Sequence, residues 1–503
     1  MLLAIGSPAL AGYSLAITRL NSRWLSRKFL DLHFANKINV PLAVSALQHI
    51  PFRIDVSTSL LPSLIVLPQN DRYWKLLGTA ARRTRQWSIP VGMNIVWALI
   101  AFLFTIISSF ADFSAFITLP GDAGYSIAAM WTYLLPVVVG WLYVGSQLEA
   151  GHLRDALKDA HERAFVATDL KPVLTTEHSN HPTPAIEAWT ALIDYVNADE
   201  KKTVPIFNYS RVFIWSQHAD HISRLYQHAA ARAHHKIPVN GGVWETHDPD
   251  AILDQDRTGT ENQVVEYCTE GLDANAKQGQ DPAWQLPTLS YHYSALPLLL
   301  PTPSKYSKET PVTGLGVVPG KPIFAAGVFL RVAFAAILAL ALQWGTTGAS
   351  ILIHLNTPPK GLGCRALTFI VYGSAATVSF LLLLFSSILA HSARLRQSVH
   401  EKRPDSKKFI GYMAALSRWS GKTIAIMNGL AILISCTLQF GGIYDNCFCS
   451  STIIGGALNG VVSFTAPDIR GSEVYASWIG GTVMAFGVSG LYCLAIYVAA
   501  LTN

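Results

Sequence analysis

Residues Ala366 to Ala390 read ALTFIVYGSAATVSFLLLLFSSILA, an uncharged stretch that contains the run Phe380-Leu381-Leu382-Leu383-Leu384-Phe385. A helix needs about 20 apolar residues to cross a hydrocarbon core of about 30 Å. This stretch exceeds that length and is apolar on all sides, so it has no polar face to turn toward water. It reads as a membrane span.

Other stretches of the same kind lie on both sides of it. Ile89 to Phe110 is apolar apart from Asn94 and a few hydroxyls, and Ser126 to Gly145 follows it. Thr423 to Ile443 and Ser477 to Leu501 lie further on. A span centred on Ala333 would bury Arg331 at membrane depth, at a cost of at least about 2.5 kcal/mol. Val332 to Leu355 is the better placement, because Arg331 then snorkels to the interface. Leu2 to Thr18 is shorter and is interrupted by Gly6, Pro8 and Gly12. The basic residues Arg19, Arg23, Arg27 and Lys28 follow it, where a signal peptide would carry its charge first. It is expected to be a seventh span or an anchor. Only 14% of the 503 residues are charged and 50% are hydrophobic, against about 25% charged in an ordinary soluble protein. The expected fold is an all-α membrane protein, a bundle of six or seven transmembrane helices with a large, partly disordered cytoplasmic loop.

The net charge of +6 is unevenly distributed. Ser146 to Lys321 holds 15 Lys and Arg against 22 Asp and Glu, while the remainder holds 23 against 10. Those basic residues lie beside apolar runs, the pattern of juxtamembrane anchoring, and the one aqueous segment is acidic; nucleic acid is not an expected partner. Arg72, Lys75, Arg82, Arg83 and Arg85 precede the span at Ile89, the connection from Ala111 to Tyr125 has no Lys or Arg, and His391 to Lys422 carries eight. The positive-inside rule then places the acidic loop and the C-terminus in the cytoplasm, without saying whether the membrane is the plasma membrane or an internal one.

Four regions follow: 1–88, a weak span plus a basic amphipathic region; 89–145, a transmembrane hairpin; 146–321, the acidic loop with a Pro-rich linker; and 322–503, a bundle of four helices. Arg19 to Lys37 interleaves Trp24, Leu25, Phe29 and Phe34 with basic residues, as an interfacial helix would. Pro41 to Pro68 is broken by Pro51 and Pro62 and reads as a surface or re-entrant segment. Within the loop, Arg211 to His235 has helical spacing, and Asn240 to Gln285 is polar and acidic enough to be disordered.

No motif carries catalysis, and the chain is expected not to be an enzyme and to hold no cofactor. Gly320-Lys321 and Gly421-Lys422-Thr423 lack the first glycine of a phosphate loop, with Leu315 and Leu416 in its place. His218 and His221 share a helical face, but a metal site would need further ligands at fixed spacing. Cys364, Cys447 and Cys449 all fall on the outer side, where a disulfide from Cys364 to Cys447 or Cys449 can form. Gly456 and Gly460 have close-packing spacing, as do Gly481, Ala485 and Ser489 on the last span, and small residues there serve helix packing. No Asp or Glu lies within a span, which disfavours ion-coupled transport. Asn94 and Asn428 are the main polar groups available to a pathway.

The segment Gly6-Ser-Pro-Ala-Leu-Ala-Gly-Tyr-Ser-Leu-Ala-Ile-Thr-Arg-Leu-Asn21, with Trp131 to Pro136 and Gly140 to Gly145, resembles uncharacterised polytopic membrane proteins of filamentous fungi. The likeness covers the membrane parts more than the loop and implies no activity, cofactor or binding residue. The expected role is that of a non-enzymatic membrane scaffold or sensor, seated in the lipid bilayer and recruiting cytoplasmic proteins through residues 146–321. The alternative is a passive transporter or channel for a small molecule.

Overall fold

The computed structural model describes residues 2–55, 59–82, 121–144, 150–177, 184–188, 207–244, 253–269, 326–357, 362–398, 404–440, 443–444 and 472–501. Four long helices dominate: α11 (Ala326–Asn356), α12 (Cys364–Ser398), α13 (Pro404–Phe440) and α14 (Ser472–Leu501). Each contains a window long and apolar enough to cross a membrane: Gly327–Asn356, Cys364–Ala393, Phe409–Gln439 and Ala476–Val498. Their outward faces expose Ile337, Phe385, Met427, Val483 and Leu491. An apolar surface on this scale suits lipid and not water. These four helices mark a membrane protein.

The remaining expected spans stand differently. Ile89 to Phe110 lies outside the described residues. Ser126 to Gly145 is two short helices, α6 (Gly121–Trp131) and α7 (Leu134–Val144), with only Ser126–Trp141 as a shorter apolar stretch. The break at Thr132 and Tyr133 has a cause in the sequence, because the ring of Pro136 excludes the carbonyl four residues before it, that of Thr132. The span expected at Thr423 to Ile443 starts earlier, since Phe409, Tyr412, Leu416 and Trp419 form an exposed apolar ridge while Arg418 turns inward.

The N-terminal stretch is a broken helix, α1 (Leu2–Gly6) and α2 (Pro8–Leu30), enclosed at the centre of the bundle. Pro8 has no N–H to give Ala4, and the Ala9 and Leu10 amides donate instead to Gln343 Oε1 and the Ser7 carbonyl. Three carbonyls are thereby freed, and in a low-dielectric interior each must find a donor. Tyr133 Oη donates to Ala4 O at 3.3 Å, Tyr372 Oη to Ile5 O at 2.6 Å, and Asn428 Nδ2 to Gly6 O at 2.9 Å. One turn on, Tyr492 Oη donates to Gly12 O at 2.6 Å. The glycines and proline that weaken this stretch as a lone span are what allow it to be caged.

Past Thr18 the same α2 helix leaves the bundle and enters a second core. Leu25 and Phe29 are buried there, so Arg19 to Lys37 is not an interfacial helix. Around them pack α3 (Asn39–Ala46), α4 (Leu60–Val66), α5 (Asp71–Arg82), α8 (Ala150–Glu162), α9 (Val212–His234) and α10 (Glu261–Cys268). Strand β1 (Phe52–Ile54) pairs antiparallel with β4 (Ile186–Ala188), and β2 (Phe165–Val166) with β3 (Val173–Leu174). Pro41 to Pro68 is apolar because it supplies this core. Residues Glu261–Cys268, expected to be disordered, form a helix with a Thr260–Gln263 capping box. The described parts of residues 19–82 and 150–269 thus share one polar unit, joined by Lys28–Asp220 and Asp71–Arg257 ion pairs. Like α2, α9 straddles the junction, with Val212 and Phe213 in the bundle core and Trp215 onward in the polar unit.

Candidate functional site

The polar unit has a groove of about 810 Å³ between α5 and α8. Helical periodicity builds both walls. On α5, Tyr73, Trp74, Leu77 and Ala81 point into the core, and Trp74 Nε1 donates to Leu64 O at 2.7 Å. Arg72, Lys75 and Thr79 are left on the outer face. On α8, Leu153, Leu157 and Ala160 point inward, leaving His152, Asp155 and Asp159 toward the groove. One wall is therefore cationic and the other anionic, over a floor of Leu76, Ala80 and Ala156. At the head of α5, Asp71 receives Arg257 and Asn36 Nδ2, the latter at 2.7 Å, which fixes that end of the groove. Asp159 pairs with Arg163 one turn on, at 2.7 Å. A groove between two helices with walls of opposite charge suits a helix or peptide carrying both signs. Its signal in the sequence is the pair of amphipathic polar faces with opposite charge, 80 positions apart and brought together only by the fold.

The histidines of α9 are not gathered into a metal site. His218 is buried with its ring 5.1 Å from that of Phe52. His221, next to Asp220 and Arg224, is held down to about 4, mainly by burial, with Arg224 adding to the effect and Asp220 opposing it. Among the described residues no three His, Cys, Asp or Glu side chains converge.

In the bundle, the residues singled out by sequence serve packing where they are described. Asn428 spends both amide hydrogens on Gly6 O and Tyr372 O, at 2.9 and 3.0 Å. Gly481 lets α14 close on α11, since a Cβ there would stand 2.7 Å from Ile353 Cγ1 and 3.2 Å from Ala349 O. Ala485 and Ser489 are buried on the same helix. Cys364 is disulfide-bonded, while Cys268, Cys436 and Cys493 are free. Asn94, Cys447, Cys449, Gly456 and Gly460 lie outside the described residues.

Sequence reading did not single out the contact between Ser126 Oγ and His354 Nε2, 2.6 Å apart. A serine–histidine pair at this distance is the arrangement of an activated nucleophile. Here Ser126 is 0% and His354 5% exposed, the imidazole stacks on Phe369, and Ser350 Oγ donates to the Ser126 carbonyl. Both groups are thus enclosed, and the contact fastens α6 to α11.

No protein-family model, no curated protein and no solved structure matches the chain.

Proposed function

We propose that this protein is a non-enzymatic membrane scaffold or sensor whose polar unit, on the cytoplasmic side, holds a protein partner in the α5–α8 groove. The observation that carries this reading is the pairing of an Arg72–Lys75 wall with an Asp155–Asp159 wall over an apolar floor. The partner class is an amphipathic helix with charges of both signs. Binding there would reach the membrane because α2 and α9 each run from one core into the other. The passive-transporter reading draws less support, since Asn428 is committed to two backbone carbonyls in the bundle centre.

The test is a photo-crosslinking amino acid at Thr79, on the groove wall, in native membranes. Discrete adducts should form and should vanish when Lys75→Glu and Asp155→Lys reverse the walls, with a crosslinker at the exposed Leu170 as control. Adducts that survive the reversal, or none at Thr79, would overturn the reading. Solute flux into proteoliposomes above that of empty liposomes would favour the transporter. Maleimide accessibility of single cysteines placed in the polar unit tests its cytoplasmic side.

A further inference from the structure

At the junction of the two cores, α11 turns Arg331 inward toward α2 and α9. Its guanidinium lies 4.0 Å from the centre of the Trp24 ring, and Nη2 donates to Ser216 Oγ at 3.3 Å. The side chain is only 9% exposed, yet Nε and Nη1 have no hydrogen-bond partner among the described residues. Those two nitrogens carry three N–H donors. A buried guanidinium with most of its donors unused is a costly arrangement unless an anion completes it. The neighbouring carboxylate is not spare: Asp220 already pairs with Lys28 and with Arg224, the latter at 3.5 Å. Lys28 also lies over the Trp24 ring, 4.5 Å from its centre.

Arg331 lies at the level where the chain enters its membrane-length apolar helix. Arg331 sits just over a turn into the apolar window of α11, and its neighbours Leu330 and Phe334 are 66% and 49% exposed on the lipid-facing side. One turn before Arg331, Gly327 carries no side chain, and a Cβ there would stand 3.9 Å from the Trp24 indole nitrogen. We infer that this junction binds the phosphate of an anionic lipid headgroup, gripped by Arg331 beside Trp24. Arginine matches phosphate by shape as well as charge. Basic pockets between membrane helices on the anionic cytoplasmic leaflet take such headgroups. The Trp24 indole N–H, an aromatic donor at interface depth, is the natural second contact.

The test uses the full chain in neutral detergent, titrated with dihexanoyl phosphatidic acid, dihexanoyl phosphatidylcholine and inorganic phosphate. The phosphatidic acid should bind the native protein and bind Arg331→Gln at least about tenfold more weakly. Gly327→Val keeps every charge and meets only ordinary contact at Trp24. Its bulk stands beside the Trp24 indole N–H, the second contact, so it should weaken binding similarly while thermal stability without lipid stays native. Binding by either variant as tight as that of the native protein would overturn the proposal, as would phosphatidylcholine binding as tightly as phosphatidic acid. Inorganic phosphate binding as tightly as the lipid would show a free anion as the ligand and overturn the headgroup assignment.

Discussion

Arg257 grips Asp71 across 186 positions of sequence with two hydrogen bonds, Nη2 to Oδ1 at 2.7 Å and Nη1 to Oδ2 at 2.8 Å. The arginine is buried and its Nε also donates to Val66 O at 2.9 Å, so one side chain ties the end of the acidic segment to α4 and α5 together. The fork lies over the Phe34 ring, 5.6 Å from its centre. This clamp explains how a basic N-terminal region and an acidic loop become one unit.

Removing the clamp should loosen the polar unit and leave the bundle intact. Arg257→Ala takes two hydrogen bonds from the part-exposed Asp71 carboxylate, which keeps Asn36, and removes the side-chain donor to the Val66 carbonyl, at about 1–2 kcal/mol of stability. Arg257→Lys should recover only part, since an ammonium cannot make the fork. Hydrogen exchange of α4 and α5 in detergent should accelerate in the alanine variant while that of α12 and α13 stays native. Unchanged exchange in α4 would refute the role given to Arg257.

Among the described glycines, Gly6 leaves the least room for a side chain. A Cβ at this position would stand 1.7 Å from the Ala425 carbonyl oxygen, a backbone atom that cannot swing aside. Gly6→Ala must push α1 off α13, breaking the Asn428 bond to Gly6 O as it goes. Losing that packing and freeing a buried carbonyl should cost about 2–4 kcal/mol. Asn428→Leu, which removes the donor but leaves the fit, should cost less, about 1–2 kcal/mol. Thermal unfolding in detergent ranks the two, and an alanine variant as stable as native protein would contradict the crossing geometry.

The four long helices were legible in the sequence because an uncharged run of this length has few other homes. The span boundaries were less so: Arg418 reads as loop in a linear scan, and only its inward turn lets Phe409 to Trp419 join α13. The N-terminal stretch was less legible for a related reason. Gly6, Pro8 and Gly12 weaken a helix judged alone, and their compensation comes from Tyr133, Tyr372, Asn428 and Tyr492, far away in the chain. Likewise, Leu25, Phe29 and Leu60 to Leu67 resemble membrane-surface residues until their partners on α9 and α10 are known. The α5–α8 groove was not legible at all, since each wall alone is an ordinary solvated helix face.

Cys364 is disulfide-bonded while Cys268, Cys436 and Cys493 carry free thiols. The expected partner is Cys447 or Cys449, which the proposed orientation puts on the outer side of the membrane. Non-reducing peptide mapping should join the Cys364 peptide to the one containing those two residues. With the reduced protein in sealed vesicles, a membrane-impermeant maleimide should label Cys364 from the face opposite the polar unit. Labelling from the same face as the polar unit would reverse the proposed side of Cys364. Cys364→Ser should lower stability by about 2–4 kcal/mol.

His221 makes the polar unit sensitive to mild acid. Burial, aided by Arg224, holds its pKa down to about 4 from an ordinary value near 6.5, against the pull of Asp220. The unfolded chain therefore takes up a proton at a higher pH than the folded one. The resulting stability is fully present above about pH 6.5, is lost as pH falls toward 4, and changes no further below that. After allowance for the partly exposed ring, the loss is about 1–3 kcal/mol. His221→Asn removes the titrating group, so its stability should vary less than that of the native protein between pH 7 and pH 4. Thermal unfolding of the two proteins across that interval is the measurement. Parallel curves would mean that the acid sensitivity of the unit resides in its carboxylates and not in this imidazole.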